Sequence, residues 1–211
     1  MDCILLIFCQ HKTEVYAMYI LLRSALFLAL LVMYISLRRK LNINRAHSFF
    51  LLILLLIVFG FISELPIENV FYSFKSPKEA FSYKYSQTVA DVVEGTNSAM
   101  VLSKNDGEVE KYEILSKSKD GWKLSNKLSV RRIIRQFYGM TYVEIYQCGK
   151  SDYYLFVYAY DTSTISDNKG SNFKSSSHMA GQTVVTSAYA YVNNLSDYCL
   201  FLDGTRVDII C

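Results

Sequence analysis

The chain has 211 residues, 52% of them apolar or aromatic, with a mean hydropathy of +0.17 and a formal charge of +3. These values exclude a disordered tail, a collagen-like repeat and a strongly basic nucleic-acid binder. Composition changes along the chain: residues 1–63 carry six basic and two acidic side chains around long apolar runs, whereas the other 148 residues carry 16 basic and 17 acidic ones. The first part is predicted to be a membrane anchor, and the second is long enough for one domain.

Two apolar runs near the N-terminus are long enough to cross a bilayer. Residues 15–37 form a 23-residue run interrupted by Arg23, and residues 46–63 form an uncharged run of 18 residues. As a helix the second run measures about 27 Å and is apolar on every side, which predicts a transmembrane span. Neither run contains an acidic residue, so we interpret Arg23 as snorkelling to the interface; the alternative is a buried partner for an acidic group.

The loop between the runs, residues 38–45, contains a cluster of four basic side chains: Arg38, Arg39, Lys40 and Arg45. By the positive-inside rule this loop is predicted to stay in the cytoplasm, which puts the C-terminal domain outside. No small-residue cleavage site follows the second run, so we expect an uncleaved anchor. A chain starting at Met33 instead of Met1 would keep only the second span, and both options stay open.

Residues 64–75 are predicted to be an extended connector to the domain, residues 76–211. Ser76-Pro77-Lys78-Glu79 is a capping box with proline at the first helical position, and it predicts a short helix from about Pro77 to Tyr85. A mainly β fold is predicted for the rest, because short runs rich in Val, Leu and Tyr alternate with turn residues. The predicted strands are residues 88–94, 98–104, 108–115, 122–124, 142–148, 153–160, 183–192, 198–202 and 205–210, with a turn at Asp106-Gly107. Residues 129–138 fit a strand, which we favour, or a helix.

Residues 161–182 contain six serines between two predicted strands. Such a stretch has few apolar side chains to bury, and we predict a mobile loop at the edge of the sheet. A binding loop is the alternative, because long loops often carry sites.

The sequence contains no motif that predicts a catalytic, cofactor or metal site. The three histidines do not stand beside a nucleophile or at metal-ligand spacing: His11, His47 and His178. Four aspartates at predicted strand ends could form a glycosidase carboxylate pair, although aspartate at a turn more often bonds to its own backbone: Asp152, Asp161, Asp197 and Asp203. Three cysteines in the domain allow one internal disulfide, for which Cys148 with Cys199 is the predicted pair; buried free thiols are the alternative, and both stay open.

Tyrosine is the most distinctive residue of the domain, which holds 14 of the chain's 17. Six of them recur at even spacing, so that each set projects from one face of its strand: Tyr142, Tyr146, Tyr158, Tyr160, Tyr189 and Tyr191. We interpret them as a half-buried sheet face with wet hydroxyls; the functional alternative is an aromatic binding face for a glycan or peptide.

Three segments resemble a group of small membrane-anchored proteins of Gram-positive bacteria that have no assigned function: residues 72–81, 91–95 and 120–122. They read YSFKSPKEAF, DVVEG and DGW. The resemblance implies an N-terminal anchor and an exported domain, and it implies no functional residues. Members of that group have one span, whereas this chain has an additional apolar run before Met33.

The sequence therefore predicts a bacterial cell-membrane protein with two N-terminal transmembrane helices and one mainly β extracytoplasmic domain that begins with a short helix. The expected function is a non-enzymatic interaction module whose partners are the lipid bilayer and an envelope protein or glycan, without nucleic acid. One alternative is an envelope hydrolase that cleaves glycan or peptide through strand-end carboxylates. Another is an accessory subunit whose Arg23 pairs with an intramembrane acid of a second protein.

Overall fold

A computed structural model describes residues 2–40, 44–105, 108–126, 129–162 and 164–209, without the side chains of residues 2–16, 45 and 46. The chain divides into two compact units. One comprises Met1–Tyr72 with Ser82–Ser86, and the other comprises Ser73–Phe81 with Gln87–Cys211.

The first unit is built on two helices, α1 (Asp2–Lys40) and α2 (Arg45–Glu64). Each contains a segment long and apolar enough to cross a membrane, Ala17–Lys40 and His47–Glu64. This confirms the two apolar helices that the sequence predicts. The connection between them is shorter than the predicted loop 38–45, because the basic residues of positions 38–40 continue α1, where they complement the negative end of the helix dipole.

Residues 64–75 do not form the extended connector that the sequence predicts. α2 continues to Glu64, and Ile67–Val70 fold into a 3-10 turn. The side chain of Arg23 gives the reason, since its guanidinium donates to the carbonyl oxygens of Ile62 at 3.0 Å and Leu65 at 2.8 Å. These bonds satisfy carbonyl groups at and just beyond the C-terminus of α2 and bend the chain that follows.

The capping box starts α3 (Pro77–Lys84) as predicted, one residue shorter than expected at its end. The backbone N–H of Glu79 donates to Ser76 Oγ at 3.2 Å, and the Glu79 carboxylate accepts from the Lys75 backbone N–H at 2.9 Å. The first bond satisfies an N–H group that a helix start leaves unpaired, and the second ties the residue before the N-cap to the first turn of α3.

Twelve strands follow among the residues that the structure describes, and they form three antiparallel sheets. The four-stranded sheet has the order β1 (Val89–Glu94), β2 (Ser98–Asn105), β3 (Glu108–Ser118), β4 (Gly121–Lys123). The five-stranded sheet has the order β5 (Val130–Tyr138), β6 (Thr141–Cys148), β7 (Asp152–Tyr160), β10 (Thr183–Val192), β9 (Lys174–Ala180). The three-stranded sheet has the order β12 (Thr205–Asp208), β11 (Cys199–Leu202), β8 (Ile165–Asp167). The β-rich domain predicted from the sequence is thereby confirmed.

The five-stranded sheet is the middle layer, because the two faces of its strands enter two different cores. On β7, Leu155 and Val157 pack with Tyr198 and Leu200 of the three-stranded side. The alternate residues of β7, Tyr154 and Phe156, pack with β1, β2 and β3 of the four-stranded sheet. Side chains of successive residues point to opposite faces of a strand, so one sheet with apolar residues on both faces supports both neighbours.

The serine-rich stretch 161–182 is not the mobile loop that its composition predicts. It contains β8 and β9, and β9 pairs with β10 over seven positions, from Thr183↔Ala180 to Tyr189↔Lys174. β9 is an edge strand whose alternate side chains are exposed, so serine is tolerated there while the ladder with the buried strand β10 supplies the stability. Ser163 lies outside the described residues.

The ambiguous segment 129–138 forms a strand, β5, as we favoured from the sequence. Its pairing with β6 is irregular between Arg132 and Ile134. A bulge of this kind adds one residue and interrupts strict alternation, which is why the apolar residues of this strand imitate a helical stripe. The turn predicted at Asp106-Gly107 lies outside the described residues, although Asn105 and Glu108 pair on either side of it.

Candidate functional site

The strand-end aspartates make structural hydrogen bonds. Asp152 is buried, and its Oδ2 accepts from the Asn97 backbone N–H at 2.7 Å and from Ser98 Oγ at 2.5 Å. Its Oδ1 accepts from the Tyr191 hydroxyl at 3.2 Å. One carboxylate thus fastens the β1–β2 turn to β7 and β10.

This attachment requires a glycine at position 95. A Cβ there would lie 2.6 Å from the Tyr154 hydroxyl oxygen, 2.8 Å from Tyr191 Cε2 and 3.0 Å from Asp152 Oδ2. No side chain fits between the turn and these three groups, so glycine is used for close approach of the backbone.

The other three strand-end aspartates have left-handed backbones, with φ of 52° at Asp161, 53° at Asp197 and 47° at Asp203. Asp161 accepts from the Val184 backbone N–H at 3.2 Å, and Asp203 from that of Thr164 at 2.8 Å. Aspartate tolerates this conformation, which is common in turns. The two side chains, however, accept from N–H groups 23 and 39 residues away, so they join distant segments and do not bond to their own backbone as the turn interpretation expects.

The six tyrosines singled out from the sequence share one face of the five-stranded sheet. Tyr142 lies opposite Tyr158 in the β6–β7 ladder. In the β7–β10 ladder Tyr158 pairs with Ser187, and Tyr189 follows two residues later, on the same face. This face packs against the four-stranded sheet, and Tyr189 is fully buried there. Tyr160, at the end of β7, is 45% exposed. The alternation predicted the shared face, but it could not predict the sheet that covers it.

Glu144 is the centre of a polar network within that face. Its Oε1 accepts from Arg132 Nη1 at 3.0 Å and from the Tyr142 hydroxyl at 2.6 Å, and its Oε2 accepts from the Tyr146 hydroxyl at 2.8 Å. Arg135 Nε lies 3.8 Å from Oε1 and donates to the Tyr142 hydroxyl oxygen at 2.6 Å. A carboxylate that is nearly buried is therefore paired with two arginines and two phenols, as burial of a charge requires.

Tyr146 extends this network to the four-stranded sheet, where the Tyr112 hydroxyl lies 2.5 Å from its own. Burial raises the pKa of Tyr146 above its ordinary value, and the hydrogen bonds with Tyr112 and Glu144 raise it further. Both phenols stay protonated at neutral pH. Their arrangement supports hydrogen bonding and packing between the sheets.

A second network, which the sequence did not suggest, surrounds Asp91 of β1. Lys104 Nζ lies 3.0 Å from its Oδ2, Lys174 Nζ lies 3.1 Å from its Oδ1, and the Tyr189 hydroxyl donates to Oδ2. Burial favours the protonated carboxyl, but the hydrogen bonds from Tyr189, Lys104 and Lys174 outweigh it, so the pKa of Asp91 is lowered. A lone aspartate within the apolar run VADVV is the sequence signal that could have indicated this centre.

An open cleft of about 490 Å³ lies beside β1 and the end of β10. Its lining combines polar groups with the apolar residues Val92 and Val93, and it includes one carboxylate, that of Glu94, and one aromatic ring, that of Tyr191. Four of its lining residues come from the serine-rich stretch: Lys169, Ser171, Asn172 and Lys174. A binding loop in this stretch and a binding face that includes Tyr191 were both alternatives predicted from the sequence. In the structure, residues of both line the same cleft.

The cysteines singled out from the sequence are not bonded to each other. Cys148 at the end of β6 and Cys199 at the start of β11 are both free and buried. They belong to different sheets, and burial raises the pKa of the Cys148 thiol. The structure corresponds to the alternative of buried free thiols. Cys211 lies outside the described residues.

In the first unit, Arg23 has an acidic partner in its own chain. Its Nη2 lies 3.0 Å from both carboxylate oxygens of Glu68, which is 3% exposed. The centroid of the Tyr19 ring lies 5.0 Å from Cζ of Arg23. The same ring packs edge-on against Tyr83. Burial raises the pKa of Tyr83 to about 12, and the negative charge of Glu68 acts in the same direction. The side chain of Arg23 reaches the C-terminal end of α2, which the snorkelling interpretation also expects. Its acidic partner belongs to the same chain, so an acid from a second protein is not needed to neutralise it.

The basic residues that set the predicted orientation lie at the ends of the two helices and not in a loop from 38 to 45. Arg38, Arg39 and Lys40 are exposed in the last turn of α1, and Arg45 begins α2.

In the part of the chain that the structure describes, no three His, Cys, Asp or Glu residues form a group that could hold a metal ion. No protein-family model, no curated protein and no solved structure matches the chain. The resemblance to membrane-anchored proteins of Gram-positive bacteria therefore stays a prediction.

Proposed function

We propose that the protein is a bacterial envelope protein, anchored in the cell membrane by α1 and α2, whose β-rich unit binds a ligand outside the cytoplasm. Two observations support the anchor and its orientation. Both helices contain apolar segments of spanning length with little of their surface buried. The basic residues between the segments predict a cytoplasmic loop by the positive-inside rule.

The cleft beside β1 is the observation that carries the binding function. Its volume falls in the range of small-molecule sites, and its hydroxyl, amide and ammonium groups surround one aromatic ring. Binding surfaces of other proteins combine tyrosine with serine and asparagine in the same way, because the ring provides contact area and the small polar groups adapt their hydrogen bonds. We propose a segment of envelope glycan or peptide as the ligand.

The hydrogen bonds of the strand-end aspartates favour binding over the hydrolase alternative. Asp152, Asp161 and Asp203 already accept hydrogen bonds from backbone N–H groups of distant segments. Carboxylates held in this way join parts of the backbone, whereas a glycosidase needs a pair of carboxyl groups that face the substrate.

Calorimetric titration of the full-length protein in lipid nanodiscs tests this function, with soluble wall glycan fragments and wall peptides as the probes. The double variant Lys169→Ala, Asn172→Ala should weaken binding about tenfold, which corresponds to about 1.4 kcal/mol. Lys150→Ala is the matched control, because Lys150 is exposed in the β6–β7 turn and does not line the cleft. Equal affinities of the wild type and the double variant would contradict the assignment of the cleft.

A further inference from the structure

The two most exposed large apolar side chains among the residues described lie at the end of the 3-10 turn that follows α2. Phe71 is 83% exposed and Val70 is 77% exposed. They are followed by Tyr72 and preceded by Leu65, both exposed as well. We name Leu65, Val70, Phe71 and Tyr72 the interfacial patch. Exposed apolar residues that stand together in this way indicate a surface that contacts another apolar phase.

The acidic residue in the middle of this segment points away from the patch. Glu68 lies in the same 3-10 turn as Val70, but its carboxylate is buried against the guanidinium of Arg23. The backbone carbonyl of Leu65 is bonded to the same guanidinium. The turn therefore has two sides, one with its charge neutralised inside the unit and one with apolar side chains at the surface.

From this geometry we infer that the interfacial patch inserts into the lipid headgroup region of the membrane that α2 crosses. The patch begins one residue after the end of α2, so it is continuous in the chain with the proposed lipid-facing surface. Aromatic and aliphatic side chains next to a span prefer the boundary between headgroups and acyl chains. The Arg23–Glu68 pair positions the patch, because it fixes the turn and neutralises the one charged side chain between Leu65 and Tyr72. This inference rests on the membrane anchor proposed above.

Depth-dependent fluorescence quenching tests the inference with the full-length protein in bilayers of phosphatidylcholine brominated near the headgroup or near the chain end. Phe71→Trp and Val70→Trp place the probe in the patch, and Phe61→Trp places it on the exposed surface of α2. The only native tryptophan, Trp122, is buried in the β-rich unit and provides the background for subtraction. We expect both patch probes to lose about half of their emission with the shallow bromine, as insertion by 5–10 Å implies.

The outcomes separate this inference from the anchor on which it rests. Quenching of the Phe61→Trp and Phe71→Trp probes by lipid bromine supports both. Quenching of the Phe61→Trp probe alone, with the patch probes accessible to aqueous acrylamide, overturns the inference and leaves the anchor. Patch probes shielded from both quenchers would mean that protein covers the patch, which also overturns it. Absence of lipid quenching for every probe would overturn the anchor itself.

Discussion

A single arginine in an apolar run has a cost that its partners must offset. Insertion of an arginine into the centre of a membrane helix costs about 2.5–3.5 kcal/mol on translocon scales. Arg23 donates to two backbone carbonyls and to the Glu68 carboxylate, which are enough acceptors to compensate for that cost. The sequence could not predict the pair, because Glu68 lies 45 residues along the chain and outside both apolar runs.

Removal of both partners of this pair should destabilise the first unit by less than the sum of the two single removals. Arg23→Met or Glu68→Met leaves one buried charge without its counterpart, which costs about 3 kcal/mol or more. The double variant should recover at least about 1 kcal/mol of the summed loss. Unfolding by sodium dodecyl sulfate, followed by helical circular dichroism, measures the three free energies.

Arg39→Met serves as the control for the loss of a positive charge on α1, because Arg39 is exposed. It should leave the free energy of unfolding nearly unchanged. Additive losses for Arg23→Met and Glu68→Met would show that the two side chains do not interact.

At the scale of elements, polar centres join the sheets to each other. Asp91 of β1 contacts Lys104 of β2, Lys174 of β9 and Tyr189 of β10. The ion pairs are partly buried, and they connect the edge strand β9 to the four-stranded sheet as well as to β10. This connection helps to explain how a strand with the sequence KSSSHMA is ordered although it has few apolar side chains.

The lowered pKa of Asp91 predicts a specific loss of stability in acid. Because the folded-state pKa lies below the unfolded value of about 3.9, the ionised carboxylate stabilises the fold above about pH 4. That contribution is lost as the pH falls from about 4 through the lower folded-state pKa. Asp91→Asn should therefore be less stable than the wild type at pH 7 and lose that difference in more acidic solution. Urea unfolding monitored by Trp122 fluorescence measures it.

Asp208→Asn is the matched control for the acid prediction. Asp208 pairs with Arg206 at 2.7 Å, but both side chains are more than 60% exposed. Exposed pairs contribute little, so this variant should follow the wild type at every pH. Parallel pH profiles for Asp91→Asn and the wild type would contradict the assigned role of Asp91.

Local patterns predicted most of the elements, and contacts between distant residues explain the failures. The capping box at Ser76 and the alternation in β6, β7 and β10 depend on neighbours in the chain, and these elements were confirmed. β9 was missed because its stability comes from the ladder with β10. The shared face of the tyrosines followed from alternation, but its cover by a second sheet did not. The cleft, likewise, joins segments that are about 80 residues apart.

For the whole molecule, we propose a division between anchor and function, in which the two apolar helices and the interfacial patch hold the chain in the bilayer and the β-rich unit binds the ligand in its cleft. The proposed function depends on the side of the membrane on which that unit lies, because envelope glycans and peptides are available only outside.

Protease accessibility of the β-rich unit is the most direct test of this topology. The full-length protein is expressed in cells, any wall is removed, and protease is added before or after lysis, with detection by an antibody against the β-rich unit. We expect digestion of this unit in intact cells, with a fragment that contains α1 and α2 retained in the membrane. A β-rich unit that survives in intact cells and is digested only after lysis would contradict the proposed topology.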